Sequence, residues 1–75
     1  MKSKKKYYRV NRKNISYIKF IIEAYEGIAV LTTIDPELGI IVLLISPGCE
    51  NDIDIIMNDL KKNILIEDVE IADLN

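Results

Sequence analysis

The chain predicts an α+β domain of the ferredoxin-like split βαβ type, β-α-β-β-α-β: a four-stranded antiparallel sheet with two helices on one face. Three observations carry this. Two segments have apolar residues at the three- and four-residue spacing of amphipathic helices. Four short runs rich in β-branched residues flank them. The middle two runs are joined by only "DPELG" (35–39), which makes them a hairpin.

Taken in order, residues 1–5 predict a disordered basic lead-in, and 6–75 a single domain. "KYYRVN" (6–11) predicts a short strand, with Tyr8 and Val10 on one face and Tyr7 and Arg9 on the other. Asn14 is the expected N-cap of the first helix, "ISYIKFIIEAYEG". Ser16, Lys19, Glu23 and Glu26 line its polar stripe. Ile18, Ile21, Ile22 and Tyr25 line its apolar stripe, widened by Tyr17, Phe20 and Ala24. Gly27 sits where a left-handed residue ends a helix.

"IAVLTTI" (28–34) and "IIVLLIS" (40–46) predict the hairpin strands. In the turn between them Asp35 bonds nearby amides, Pro36 presets the bend and Gly39 supplies positive φ. Ile40 to Ile45 has no polar alternation, so that strand is expected to be covered on both faces. After "PGC", "ENDIDIIMNDLKKN" (50–63) predicts the second helix, with Ile53, Ile56, Met57 and Leu60 inward. Acids fill its first turn and Lys61 and Lys62 its last. "ILIEDVEI" (64–71) predicts a charged edge strand. Right-handed crossovers then place the first and third strands centrally.

Composition narrows the chemistry. Seventy-five residues make one domain at most, and a chain this short is marginal alone. Self-association is a common remedy, and 49% hydrophobic residues supply the surface for it. A single cysteine forms no internal disulfide. The absence of histidine removes Ser-His and Cys-His catalysis and the commonest metal ligand. The longest apolar run is too short to span a bilayer, which leads to the expectation of a soluble cytoplasmic protein without a membrane partner. Charge is uneven: residues 1–20 carry eight Lys or Arg and no acid, whereas residues 21–75 carry two Lys and twelve acids. Such asymmetry marks either a nucleic-acid arm or a basic segment offsetting an acidic body, and the second reading is preferred.

Residues 14–48, "NISYIKFIIEAYEGIAVLTTIDPELGIIVLLISPG", resemble the small bacterial family catalogued as domain of unknown function 4911. The resemblance rests on the helix ending "EAYEG", on "TTID" followed by a glycine, and on the apolar strand ending "PG". It implies a family but no chemistry, so no catalytic residue follows from it. The architecture is also similar to ACT-type regulatory domains, which bind amino acids at subunit interfaces; that likeness is of fold, and fold does not imply function.

Four candidate sites remain. Cys49 lies at a strand-to-helix junction, where a thiolate nucleophile is favoured. Glu50, Asp52 and Asp54 oppose it and no histidine activates it, so a structural role is preferred. Arg12, Lys13 and Asn14 open the first helix with two cations and no acid before Glu23, a candidate binding place for a small anionic ligand, weighed against a solvated basic loop, the reading preferred. Tyr7, Tyr8 and Arg9 among lysines suggest a stacking platform for single-stranded RNA. The third strand lacks the aromatic residues that would complete it. The carboxylates match no metal-loop spacing, and no glycine-rich phosphate loop exists. The sequence therefore leads to a non-enzymatic, self-associating domain with a small-ligand-binding or regulatory role and no cofactor. A nucleic-acid-binding module is the alternative, and a thiol-based enzyme or carrier the weaker one.

Overall fold

The computed structural model describes residues 4–70. Strands β1 (Lys4–Val10), β2 (Ala29–Asp35), β3 (Ile40–Ile45) and β4 (Ile66–Val69) form one sheet in the order β2-β3-β1-β4. Every neighbouring pair is antiparallel. Helices α1 (Ile15–Ala24) and α2 (Glu50–Leu60) follow β1 and β3. This is the ferredoxin-like α+β fold, with β1 and β3 central and β2 and β4 at the edges.

The pleat sorts the side chains. Tyr8 and Val10 of β1, Ala29 and Leu31 of β2, Ile41, Leu43 and Ile45 of β3, and Ile66 of β4 turn toward the helices. They meet Ile18 and Ile22 from α1 and Ile53, Met57 and Leu60 from α2. Full burial of each such side chain contributes about 1.5–3 kcal/mol. Tyr7, Arg9, Ile40, Val42 and Leu44 take the other sheet face, as alternation requires. Ile40 and Val42 are nevertheless buried there, by neighbours in the sheet, while Leu44 stays partly open.

Several sequence expectations move. The strand begins at Lys4, so Lys4 and Lys5 are not a disordered lead-in; residues 1–3 lie outside the described residues. A 3-10 turn over Arg12–Asn14 precedes α1. Its cap is Asn11, whose Oδ1 accepts from the Lys13 amide at 3.1 Å. Asn14 sits in the right-handed helical region and makes no capping bond, because a cap needs extended backbone and Asn11 supplies it. Helix α1 stops at Ala24, three residues short of Gly27. Gly27 instead takes φ +80° in a turn closed from the Ile28 amide to the Tyr25 carbonyl. Helix α2 stops at Leu60, so Lys61 is its C-cap and Lys62 lies beyond it. The expected β4 spanned 64–71; the strand is Ile66–Val69, and residue 71 lies outside the described residues.

The residues expected to widen the apolar arc of α1 are not core: Phe20 is 71% exposed and Tyr17 about half exposed. Tyr25, expected in the apolar stripe itself, is the C-cap of α1 and is also about half exposed. A two-layer domain buries one stripe of a helix and leaves the flanks in water.

Gly39 fixes the hairpin against β1. Its φ is +72°, and a Cβ there would stand 1.8 Å from the Val10 carbonyl oxygen. Its own carbonyl accepts from the Val10 amide at 2.9 Å. The preceding turn is held by Asp35, whose Oδ1 accepts from the Glu37 and Leu38 amides at 3.0 and 3.1 Å. Gly27 also has positive φ but open space around it. Gly27→Ala should therefore lose about 1–2 kcal/mol for the left-handed backbone. Gly39→Ala should lose clearly more, since backbone must also move. Urea denaturation of both variants checks this; equal losses would refute the close-approach argument.

The cap reassignment is equally checkable. Asn11→Ala should cost about 1 kcal/mol in chemical denaturation, and Asn14→Ala much less.

Candidate functional site

The three residues expected to bind an anion do come together on the 3-10 turn, but Arg12 is engaged. Its Nη1 lies 3.5 Å from Oε2 of Glu37 in the β2–β3 turn. An incoming anion there competes with a tethered carboxylate. Lys13 is exposed, and Asn14 is half-buried without a capping role.

Cys49 immediately precedes α2. Its side chain makes no capping bond, is half-buried and packs against the core. Its backbone does the local work: the amide donates to the Ser46 carbonyl and the carbonyl accepts from the Ile53 amide, each at 3.0 Å. Gly48, with φ +85°, turns the chain between them.

The aromatic pair of β1 is split by the pleat. Tyr7 faces the open side of the sheet, whereas Tyr8 is buried under the helices. The neighbouring β3 offers Ile40, Val42 and Leu44 to that side and no ring. Two of the three lysines of β1 are also partnered: Lys4 lies 4.0 Å from Glu50, and Lys6 donates to Asp54. The basic segment thus lies along the acidic flank of α2, which removes much of the field that a phosphate backbone would need.

Two further features stand out. One is the open sheet face, which two helices on one side of the sheet leave uncovered, as the sequence predicts. Its β2–β3 half presents Val30, Thr32, Ile40, Val42 and Leu44, with Asp35 opposite Ile40 at the hairpin end. Its β1–β4 half carries Lys5, Arg9 and Glu67 beside Tyr7 and Val69. No described helix covers it. The period-two pattern of the strands contained this signal, once β2 and β3 are read together.

The other is a cleft of about 420 Å³ where β1 outruns β4. β4 pairs with Tyr7 to Val10 only, so Lys4 to Lys6 have β3 on one side and no described strand on the other. Tyr8 and Met57 line its depth. On its walls Lys6 pairs with Asp54, and Lys61 Nζ donates to Asp68 Oδ1 at 3.1 Å. Tyr8 is 3% exposed. Its phenol is pushed from 10.0 up to about 12, first by burial and then by the negative charges of Asp68 and Asp54. No sequence pattern announces this cleft, because its walls come from three separate elements.

Among the described residues no group of His, Cys, Asp or Glu is placed to hold a metal ion, and no helix is long and apolar enough to cross a membrane.

Comparison with protein families gives one match, over residues 8–64. The chain belongs to the family described as Domain of unknown function (DUF4911). The DUF4911 match runs from Tyr8 through the hairpin and α2 to Ile64, and stops short of β4. Neither the curated proteins nor the solved structures gave a match. The likeness of this DUF4911 member to ACT-type domains therefore rests on element order alone.

Tyr8 supplies a pH prediction. The folded chain holds a proton that the unfolded chain releases near the ordinary tyrosine value. Its contribution to stability is therefore full below pH 10 and lost as pH rises from about 10 to about 12. Denaturation of wild type and Tyr8→Phe across this window should show the steeper fall in wild type. Parallel curves would refute the assignment.

Proposed function

We propose that this chain is a non-catalytic, self-associating domain with a regulatory or ligand-responsive role, and that it pairs sheet face to sheet face with a second copy. The observation that carries this is the apolar β2–β3 half of the open face. Charged residues make up 29% of the chain, yet Val30, Thr32, Val42 and Leu44 adjoin there with no charge among them, and Asp35 stands opposite Ile40 only at the hairpin end. Val30 is 60% exposed and Leu44 40%. Large residues in such a contiguous patch are costly to leave in water.

A second copy suits this surface better than other occupants. A twofold axis lying between two such sheets, across their strands, sets the apolar half of one on the apolar half of the other. Lys5, Arg9 and Glu67 then fall at the rim, the usual division between interface core and periphery. The broad side of the domain measures 31 × 27 Å. That is room for the roughly 800 Å² per partner of a standard interface. Stacked sheets lie about 10 Å apart, so Val30 and Leu44 would interdigitate with their counterparts.

Sedimentation at micromolar and higher concentration should show a dimer or larger species. Leu44→Glu together with Val30→Glu should give a folded monomer. Scattering from wild type should fit a compact four-layer particle. A wild-type monomer at high concentration would overturn the reading, and so would an elongated dimer joined edge to edge.

A further inference from the structure

The cleft beside β1 holds a polar group that the fold leaves unused. The Tyr8 ring is packed beneath the helices, yet no described residue hydrogen-bonds its hydroxyl. Among the described residues no buried side-chain nitrogen or oxygen lacks a partner, so this oxygen reaches solvent, and the cleft that Tyr8 lines is where it does so. The hydroxyl remains a donor at neutral pH, since burial and two carboxylates hold its proton.

Around it the charges balance. Lys6 and Asp54 lie on one wall, Lys61 and Asp68 on the other, with Met57 in the depth between. These ion pairs are partly exposed, and exposed pairs contribute at most about 1 kcal/mol each. They therefore open at little cost to a ligand that replaces both halves of the bond. A ligand with only a carboxylate would strand an aspartate, and one with only an ammonium would strand a lysine. A ligand carrying both leaves neither unpaired. The volume of about 420 Å³ lies within the range of small-molecule sites.

We propose that this cleft binds a small zwitterion whose ammonium and carboxylate are separated by an apolar spacer. The carboxylate accepts from the Tyr8 hydroxyl and from the Lys6 or Lys61 ammonium. The ammonium rests on Asp54 or Asp68, and the spacer lies on Met57. The Tyr8 hydroxyl and Met57 belong to the helix side of the sheet, while Lys5, Tyr7 and Val69 carry the rim of the cleft onto the β1–β4 half of the open face; Val30 and Leu44 are not part of its lining, so substitutions there test assembly without altering the cleft.

The test uses the full chain with 6-aminohexanoate as zwitterion, and hexanoate and hexylamine as single-charge controls. The Met57 methyl resonance reports occupancy by NMR. In wild type, 6-aminohexanoate should shift that resonance saturably and at lower concentration than either control. Tyr8→Phe keeps the ring and removes the donor; it should weaken binding about tenfold or more, as loss of a hydrogen bond to a charged group does. Lys61→Gln, at an exposed position, is a second variant and should weaken the zwitterion and hexanoate but not hexylamine. No saturable shift with 6-aminohexanoate, equal affinity for all three probes, or unchanged affinity in both variants would each overturn the proposal.

Discussion

Register between β1 and β3, from Lys4 opposite Ile45 to Arg9 opposite Ile40, governs the rest of the molecule. These are the two central strands, and each residue of one settles the face of its opposite in the other. Tyr8 lies under the helices because Ile41 does; Tyr7 lies on the open face because Val42 does. A one-residue slip would send Ile41, Leu43 and Ile45 to water and bring Ile40, Val42 and Leu44 inward. Both sets are apolar, so the side-chain pattern of β3 alone does not choose between them. The choice falls to β1, where Lys5, Tyr7 and Arg9 alternate with Tyr8 and Val10, and to Gly39. Contact between Gly39 and the backbone of Val10 locks the hairpin against β1 at one end and excludes a slipped pairing.

The same register resolves the lopsided charge of the sequence. Cations cluster in the first twenty residues, and acids dominate the remainder. Folding lays one along the other: Lys4 beside Glu50, Lys6 beside Asp54, Arg9 near Glu67 and Arg12 near Glu37. Each pair is exposed and individually weak. Together they turn a chain that looks like a basic arm on an acidic body into a surface of mixed sign. Two of the acids, Glu50 and Asp52, also stand in the first turn of α2, where the helix dipole favours them. Charge segregation along a chain is thus poor testimony for a nucleic-acid partner when the fold brings the segregated parts together.

Element order and the identity of the buried positions were legible in the sequence, because both rest on periodicity. Ile18 and Ile22, Ile53 and Met57, and Tyr8 with Val10 all face inward as their spacing required. Ends were less legible. "NRKN" has asparagine at both ends, and only the backbone decides that Asn11 caps while Asn14 is already helical. Gly27 suits a helix terminus and a tight turn equally well, and the turn won. Phe20 fits the apolar arc of α1 but finds no sheet beneath it, since a four-stranded sheet is too narrow to cover the helix flanks. The site was hardest to read. The cleft depends on β4 ending at Val69 while β1 continues to Lys4, a difference in strand length that no local pattern records. The anion site failed to foresee Glu37 because the hairpin turn that carries it lies far from Arg12 in sequence.

Short length links the two features left unspent. A chain of this size has residues for two helices, and two helices cover one face of four strands. Everything apolar on the other face must be protected by its neighbours or by something outside the chain. Ile40 and Val42 take the first course, packed down among the strands, and Leu44 and Val30 are left to the second. β4, kept to four residues and charged at Glu67 and Asp68, guards its own edge against further pairing but is too short to flank the start of β1. That shortfall opens a gap beside Tyr8, walled by Lys6 and Asp54, one of the pairs that offset the sequence asymmetry, and by Lys61 and Asp68. Economy in one edge strand thus leaves a small charged cleft at the β1–β4 edge, and economy in helices leaves apolar side chains open on the β2–β3 half of the sheet. The two surfaces differ in chemistry: ion pairs wall the first, whereas Val30 and Leu44 stand on the second.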